Sequence, residues 1–242
     1  WLLYHLTDGK VHATDVSNAS RTLLFNIKSM AWDSKMLSFL RVPREILPEV
    51  RPSASIFGHY DSASFGSIPI AAILGDQQSA LFGQCCFTPG TAKNTYGTGC
   101  FMLMNTGSQI PDTPSGLLNT VAWQIEGVTT YALEGSVFVA GAALQWLRDG
   151  IEILEDVALS SSIAQADSES NPHSSVVVVP AFAGLGTPYW DMHARGAIFG
   201  LTRDTDRNAI IRATLESLAF SSQDVLNAMQ EDSGISLLKL QQ

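Results

Sequence analysis

Two short motifs carry residue types that could do chemistry. The first, Gly75-Asp76-Gln77-Gln78, follows an apolar run from Ile68 to Leu74. A run of that length bounded by glycine predicts a buried strand or a buried loop edge. Ser79-Ala-Leu-Phe82 has a helical pattern, which places Asp76 near a helix N-terminus. Backbone N–H groups and the helix macrodipole favour an ionised carboxylate there. Two readings of Asp76 follow: an N-cap that satisfies the helix, or a general base held ionised at the edge of a cleft.

The second motif is Asn94-Thr95-Tyr96-Gly97-Thr98-Gly99-Cys100-Phe101. Ala92 to Tyr96 and Cys100 to Met104 are strand-like, so Gly97-Thr98-Gly99 is expected to be a tight hairpin turn. Two glycines flanking a threonine allow backbone N–H groups to converge, with the Thr98 hydroxyl beside them. Such a turn can cradle a phosphate without a lysine, or it can be a plain hairpin.

These motifs need elements to hold them. Val137 to Ile151 is predicted as one helix, with Ala140, Leu144, Leu147 and Ile151 on its core face. Gly141 and Gln145 lie one turn apart on an adjacent face. A glycine inside a helix costs about 1 kcal/mol relative to alanine, so something should approach closely there, either another helix or a flat ligand. Asn208 to Gln230 is the longest predicted helix, with Ile211, Leu215, Leu218, Val225 and Met229 as its apolar stripe and Asp232-Ser-Gly234 as its stop. Trp1 to Thr7 is a short apolar segment, and the body of a helix is expected at the very start of the chain. Short helices are expected over Met36 to Leu40 and Arg44 to Leu47, and a strand over Leu23 to Ile27. Thr14 to Thr22 and Ser53 to Gly66 read as polar loops. Strands are expected at Leu117 to Trp123, Val128 to Leu133, Val176 to Val179 (buried), Ala197 to Leu201 and Ile235 to Leu240, and a helix with a loose loop over Glu152 to Ser175. Alternating strands and helices make the class α/β.

Composition sets the outer limits. The 242 residues are 45% hydrophobic and 15% charged, an ordinary globular balance. The net charge of −9 comes with scattered basic residues, so no footprint for nucleic acid or an anionic membrane is present. No apolar run approaches the ~18 residues of a membrane span, and no signal peptide opens the chain. Cys85, Cys86 and Cys100 are expected to be buried thiols in a reducing, cytoplasmic setting. No Cys/His spacing suggests zinc.

Taken together, Gly75-Asp-Gln-Gln78 and Ala92-Lys-Asn-Thr-Tyr-Gly-Thr-Gly-Cys-Phe101 closely resemble the glycerol kinases of the FGGY carbohydrate-kinase family. The resemblance continues through Tyr131-Ala-Leu-Glu-Gly135, Gln145-Trp-Leu-Arg-Asp149, Gly184-Leu-Gly-Thr-Pro-Tyr-Trp-Asp191, Arg195-Gly-Ala-Ile-Phe-Gly-Leu-Thr-Arg203 and Ile210-Ile-Arg-Ala-Thr-Leu-Glu-Ser217. It implies a ribonuclease-H-like, actin-like ATPase fold with two domains flanking a catalytic cleft. Residues 1–86 would be the C-terminal part of the first domain and 87–242 the N-terminal part of the second. The implied activity is ATP-dependent phosphorylation of glycerol to glycerol 3-phosphate, with ATP and Mg²⁺ as cofactors. A pentulose kinase or kinase of another polyol, and a catalytically inert fragment, are the alternatives.

By resemblance, Asp76 would be the catalytic base. Gln77 and Phe101 would join it at the polyol, with Phe101 as an apolar wall. Thr98 would touch a phosphate, and Gly141, Leu144 and Gln145 would border the nucleotide. The resemblance leaves homo-oligomerisation open. Asp61 to Ser67 lacks the arginines of the effector loop found in some relatives, so that regulation is not expected. Both ends cut through expected secondary structure, and the family's upstream Asp-x-Gly-Thr loop and downstream Gly-Gly-rich loop are not in the sequence. The chain therefore reads as an internal fragment without activity of its own.

Overall fold

The computed structural model describes residues 1–241. Gln242, the last residue of the expected second domain, lies outside the described residues. The chain divides into two compact units. One comprises residues 1–92, 103–111 and 119–133; the other comprises 93–102, 112–118 and 134–242.

The first unit opens with α1 (Leu2–Leu6), β1 (Ala13–Asp15) and α2 (Val16–Ala19). The ribbon β2 (Phe25–Asn26) and β3 (Ala31–Trp32) follows, then α3 (Ser34–Leu40), a 3₁₀ turn at Arg44–Ile46 and β4 (Glu49–Arg51). Strand β4 pairs in parallel with β1. Next come β5 (Ala54–Ser62) and β6 (Gly66–Ala72), an antiparallel pair, and α4 (Asp76–Gly83). Apolar packing gathers Val16, Ala19, Phe25, Trp32, Leu37 and Tyr131 into one core cluster. A second cluster joins Leu81 of α4 to Cys86, Leu103, Ala122 and Trp123.

Four strands run across the division of the chain: β7 (Thr91–Tyr96), β8 (Cys100–Gly107), β9 (Leu118–Ile125) and β10 (Val128–Val137). The remainder of the second unit is α5 (Gly141–Asp149), α6 (Ser160–Ser170), β11 (Val177–Val179), β12 (Ala197–Phe199), α7 (Arg207–Ser233) and β13 (Lys239–Gln241). The five-stranded sheet has the order β13-β7-β8-β10-β9. Helix α7 starts at Asp206, whose carboxylate accepts the Ala209 N–H at 3.0 Å, and stops at the left-handed Gly234. Its residues Ile211, Val225 and Met229 are fully buried.

Several expectations are corrected. Ser53 to Gly66 is not a loop: most of it is β5, where backbone pairing to β6 outweighs a small, polar composition. The Ile68–Leu74 run is a strand up to Ala72, but not a buried one, since β5 and β6 form only a two-stranded sheet and Ile68 is 40% exposed. Thr14 to Thr22 holds the end of β1 and the helical turn α2. The helix expected from Val137 begins only at Gly141, because β10 continues to Val137, and Ile151 lies beyond its end. Cys85 is exposed, at φ 56°, whereas Cys86 and Cys100 are buried; all three are free thiols. Val177 in the expected buried strand is 46% exposed, since β11 pairs only with β12.

Candidate active site

Helix α4 carries Asp76 as its first residue, with Gly75 as the N-cap in extended conformation. Asp76 is therefore the first helical residue and not the cap. Its carboxylate is exposed, and Oδ1 accepts the Gln77 N–H at 2.7 Å. Gln78 turns inward, 2% exposed, and its amide donates to Thr120 Oγ1 at 3.1 Å. Gly75 is fixed as well: its N–H donates to Ser17 Oγ at 2.9 Å. These bonds lock the first turn of α4 while leaving the Asp76 carboxylate facing solvent.

The Gly97-Thr98-Gly99 turn joins β7 to β8 as expected, with Thr98 exposed at its tip. Helix α5 is docked directly on it. The Gly97 carbonyl accepts the Gly141 N–H at 2.9 Å, and the Thr98 carbonyl accepts the Ala140 and Ala142 N–H groups at 2.8 and 3.2 Å. The turn thereby satisfies N–H groups that an α-helix leaves without intrahelical partners. Glycine is required on both sides of this junction. A Cβ on Gly141 would stand 2.6 Å from the Gly97 carbonyl oxygen, and one on Gly99 would stand 2.5 Å from that of Val137. The close approach expected at Gly141 is thus to the hairpin turn, and Gly141 opens its helix rather than interrupting it.

On the same helix, Leu144 packs in the core with Leu147, Leu154 and Ile211, whereas Gln145 is exposed. Phe101 is the one exposed residue between Cys100 and Thr106, with 39% of its surface open. Beneath it lies a side chain that the motif reading left without a role. Lys93, 1% exposed, donates from Nζ to Thr95 Oγ1 at 2.9 Å and to the Phe101 carbonyl at 3.1 Å. Tyr96, next to the turn, is held by a hydrogen bond of 2.9 Å between its hydroxyl and Ser222 Oγ on α7. Asn94 reaches the same hydroxyl at 3.4 Å. Burial pushes the Cys100 thiol up, against the hydrogen bonds from Ser222 and Asn94, which keeps it protonated and unsuited to nucleophilic work.

Among the described residues, no three or more His, Cys, Asp or Glu side chains gather to hold a metal. A lone exposed carboxylate fits a Mg²⁺ that arrives on a nucleotide and keeps most of its waters, not one caged by protein. A cavity of about 250 Å³ in the second unit is lined in part by Phe138, Val178, Leu185, Tyr189 and Phe220. None of the expected site residues lines it. No described helix is long and apolar enough to cross a membrane.

The N-terminal domain model of the FGGY family of carbohydrate kinases matches residues 1–83, and the C-terminal domain model matches residues 92–240. The chain belongs to the FGGY family of carbohydrate kinases. It is 59% identical over 242 residues to a glycerol kinase of Alkaliphilus metalliredigens, covering 99% of this chain and 48% of that relative. It is 59% identical over 241 residues to one from a Thermoanaerobacter species, again with 99% and 48% covered. The solved Plasmodium falciparum glycerol kinase with ADP superposes on the chain with a TM-score of 0.90 at 38% identity, covering 100% of this chain and 49% of that one. A Brucella ovis xylulose kinase shares the fold, with a TM-score of 0.83 at 24% identity over 99% of this chain and 49% of that one. The α/β, actin-like ATPase fold expected from the motifs is borne out. The chain spans about half the length of the curated relatives it matches.

Proposed function

We propose that this chain is the part of a cytoplasmic glycerol kinase that carries its catalytic base and its phosphate-facing hairpin. The reaction transfers the γ-phosphoryl group of MgATP to the terminal hydroxyl of glycerol, giving glycerol 3-phosphate and ADP. Residues 1–86 would close the first kinase domain and residues 87–242 would open the second. The observation that carries the proposal is the exposed carboxylate of Asp76 in the first turn of α4, anchored on both sides by Gly75 and Gln78.

An alcohol is a weak nucleophile, so a carboxylate must accept its proton as the new P–O bond forms. Asp76 takes that proton. Gln77 offers an amide to a neighbouring hydroxyl, and Phe101 gives the carbon chain an apolar wall. Thr98 at the tip of the hairpin meets a phosphate, and Gly141, Leu144 and Gln145 border the nucleotide. Mg²⁺ carried by the nucleotide would neutralise phosphate charge, with Asp76 as the carboxylate to meet its hydration shell. The free thiols support a reducing compartment.

The test is ADP release from MgATP by a full-length kinase containing this segment. Glycerol should drive turnover and xylulose should not. A higher kcat/KM with xylulose would overturn the substrate assignment.

A further inference from the structure

The polar stretch Asp15 to Ser20 touches the first turn of α4 by two separate routes. Asp15 is fully buried, a costly place for a carboxylate unless donors surround it. Four do. Its oxygens accept the Ser17 N–H at 2.9 Å, the Asn18 N–H at 2.9 Å, the Asn18 amide at 2.7 Å and the Ser53 hydroxyl at 2.7 Å. The result is a fixed turn, α2, with the Ser17 hydroxyl set at its start. That hydroxyl accepts the N–H of Gly75, the residue immediately before Asp76. The second route runs from Gln78, two residues after Asp76. Gln78 donates to Thr120 Oγ1, which lies 3.0 Å from Ser20 Oγ, and Ser20 Oγ donates to the Ser17 carbonyl at 2.7 Å.

Asp76 is thus bracketed by two residues tied to one buried turn, while its own carboxylate is left exposed. A buried carboxylate is a poor way to gain stability alone, because an apolar core of the same shape is often as stable. It is an effective way to fix a direction. We propose that the Asp15–Ser20 turn is the positioning element for Asp76, with Ser17 as the residue that transmits it. The inference rests on the reading of Asp76 as the base. Neither Asp15 nor Ser17 touches substrate in this assignment; both act through the placement of the first turn of α4.

The experiment uses a full-length kinase containing this segment, assayed well below its melting temperature. Ser17→Ala removes the acceptor for Gly75. It should lower kcat about tenfold, a fraction of the loss that a full 1 Å misplacement can bring. KM for ATP should stay within about twofold, and Ser17→Thr, which keeps a hydroxyl, should restore most of kcat. Thr120→Val breaks the second route without touching Ser17, and it carries the test should Ser17→Ala fail to fold; it too should lower kcat selectively. Asp76→Asn runs alongside. Near-normal turnover by Asp76→Asn would sink the base assignment and this inference with it. An inactive Asp76→Asn beside normal kcat in folded Ser17→Ala, or in Thr120→Val where Ser17→Ala does not fold, would overturn the positioning role alone. Parallel loss of kcat and of affinity for both substrates, following the fraction folded, would also overturn it.

Discussion

At the scale of single residues, the carboxylate of Asp76 and the missing side chain of Gly141 lead to opposite kinetic signatures. Asp76→Asn keeps size and polarity but removes the ability to take a proton. General-base contributions run at about 100- to 10,000-fold. The expected outcome is a fall in kcat of that order, with ATP binding retained in a direct titration. Gly141 behaves differently, because its role is room. A Cβ there would press on the Gly97 carbonyl and shift the turn that carries Thr98. Gly141→Ala should raise the KM for ATP about tenfold, in keeping with the steep cost of small misplacements. The KM for glycerol should move far less, and equal rises in both would contradict a nucleotide-side role.

Asp76 and the hairpin were legible in the sequence because each sits in a contiguous motif whose residue types announce a turn or a helix start. Ser17 and Lys93 were not. Their partners, the Gly75 N–H and the Phe101 carbonyl, are both backbone groups, which no side-chain pattern reveals. The Asp15-x-Ser17-Asn18 spacing was the available signal, since Asp followed by short polar residues is a capping pattern.

At the scale of elements, the long periodic segments and several short ones, α1, α3, β11 and β12 among them, were read correctly, whereas β5 was not. Helix α7 and the β9 and β10 pair follow strong apolar patterns, so their existence was clear from sequence. Strand β5 has a weak pattern of small residues, and it is a strand because β6 pairs with it. The boundary of α5 shifted for a physical reason: the hairpin turn supplies acceptors for the Ala140, Gly141 and Ala142 N–H groups, so the helix begins where those acceptors are.

The same hairpin depends on α7 through Ser222, a link that pattern reading could not supply. Ser222 is 5% exposed and serves both Tyr96 and Asn94, whose Oδ1 is buried without a hydrogen-bond partner. Ser222→Ala would remove the bond that the Asn94 amide donates to Ser222. A buried polar group left unpaired costs about 1–3 kcal/mol. Urea denaturation of a full-length kinase containing this segment should show a loss of that size. Tyr96→Phe, which removes only the hydroxyl at a half-open position, should lose less. A Ser222→Ala protein as stable as its parent would mean that water replaces the hydroxyl at no cost.

At the scale of the whole molecule, the 242 residues cover 48% of relatives to which they are 59% identical. Phosphoryl transfer has little covalent chemistry for a protein to perform; positioning and charge stabilisation supply almost all of the rate. In the proposed reaction Asp76 and Thr98 would not suffice without the other groups that align ATP with the alcohol. Several large apolar side chains of this chain also stand open to water, among them Phe65 at 81% and Phe39 at 79% exposure. The two-stranded β5–β6 sheet adds unpaired strand edges, which favour association between copies. The 242-residue chain produced by itself should release no glycerol-dependent ADP above background, and it should elute larger than a monomer on size exclusion. The comparison is a full-length relative at equal molar concentration, with MgATP and glycerol held constant. Turnover by the 242-residue chain near that of the relative would show that the groups in this chain suffice, and would move the phosphate-binding burden onto the Gly97–Gly99 turn and α5.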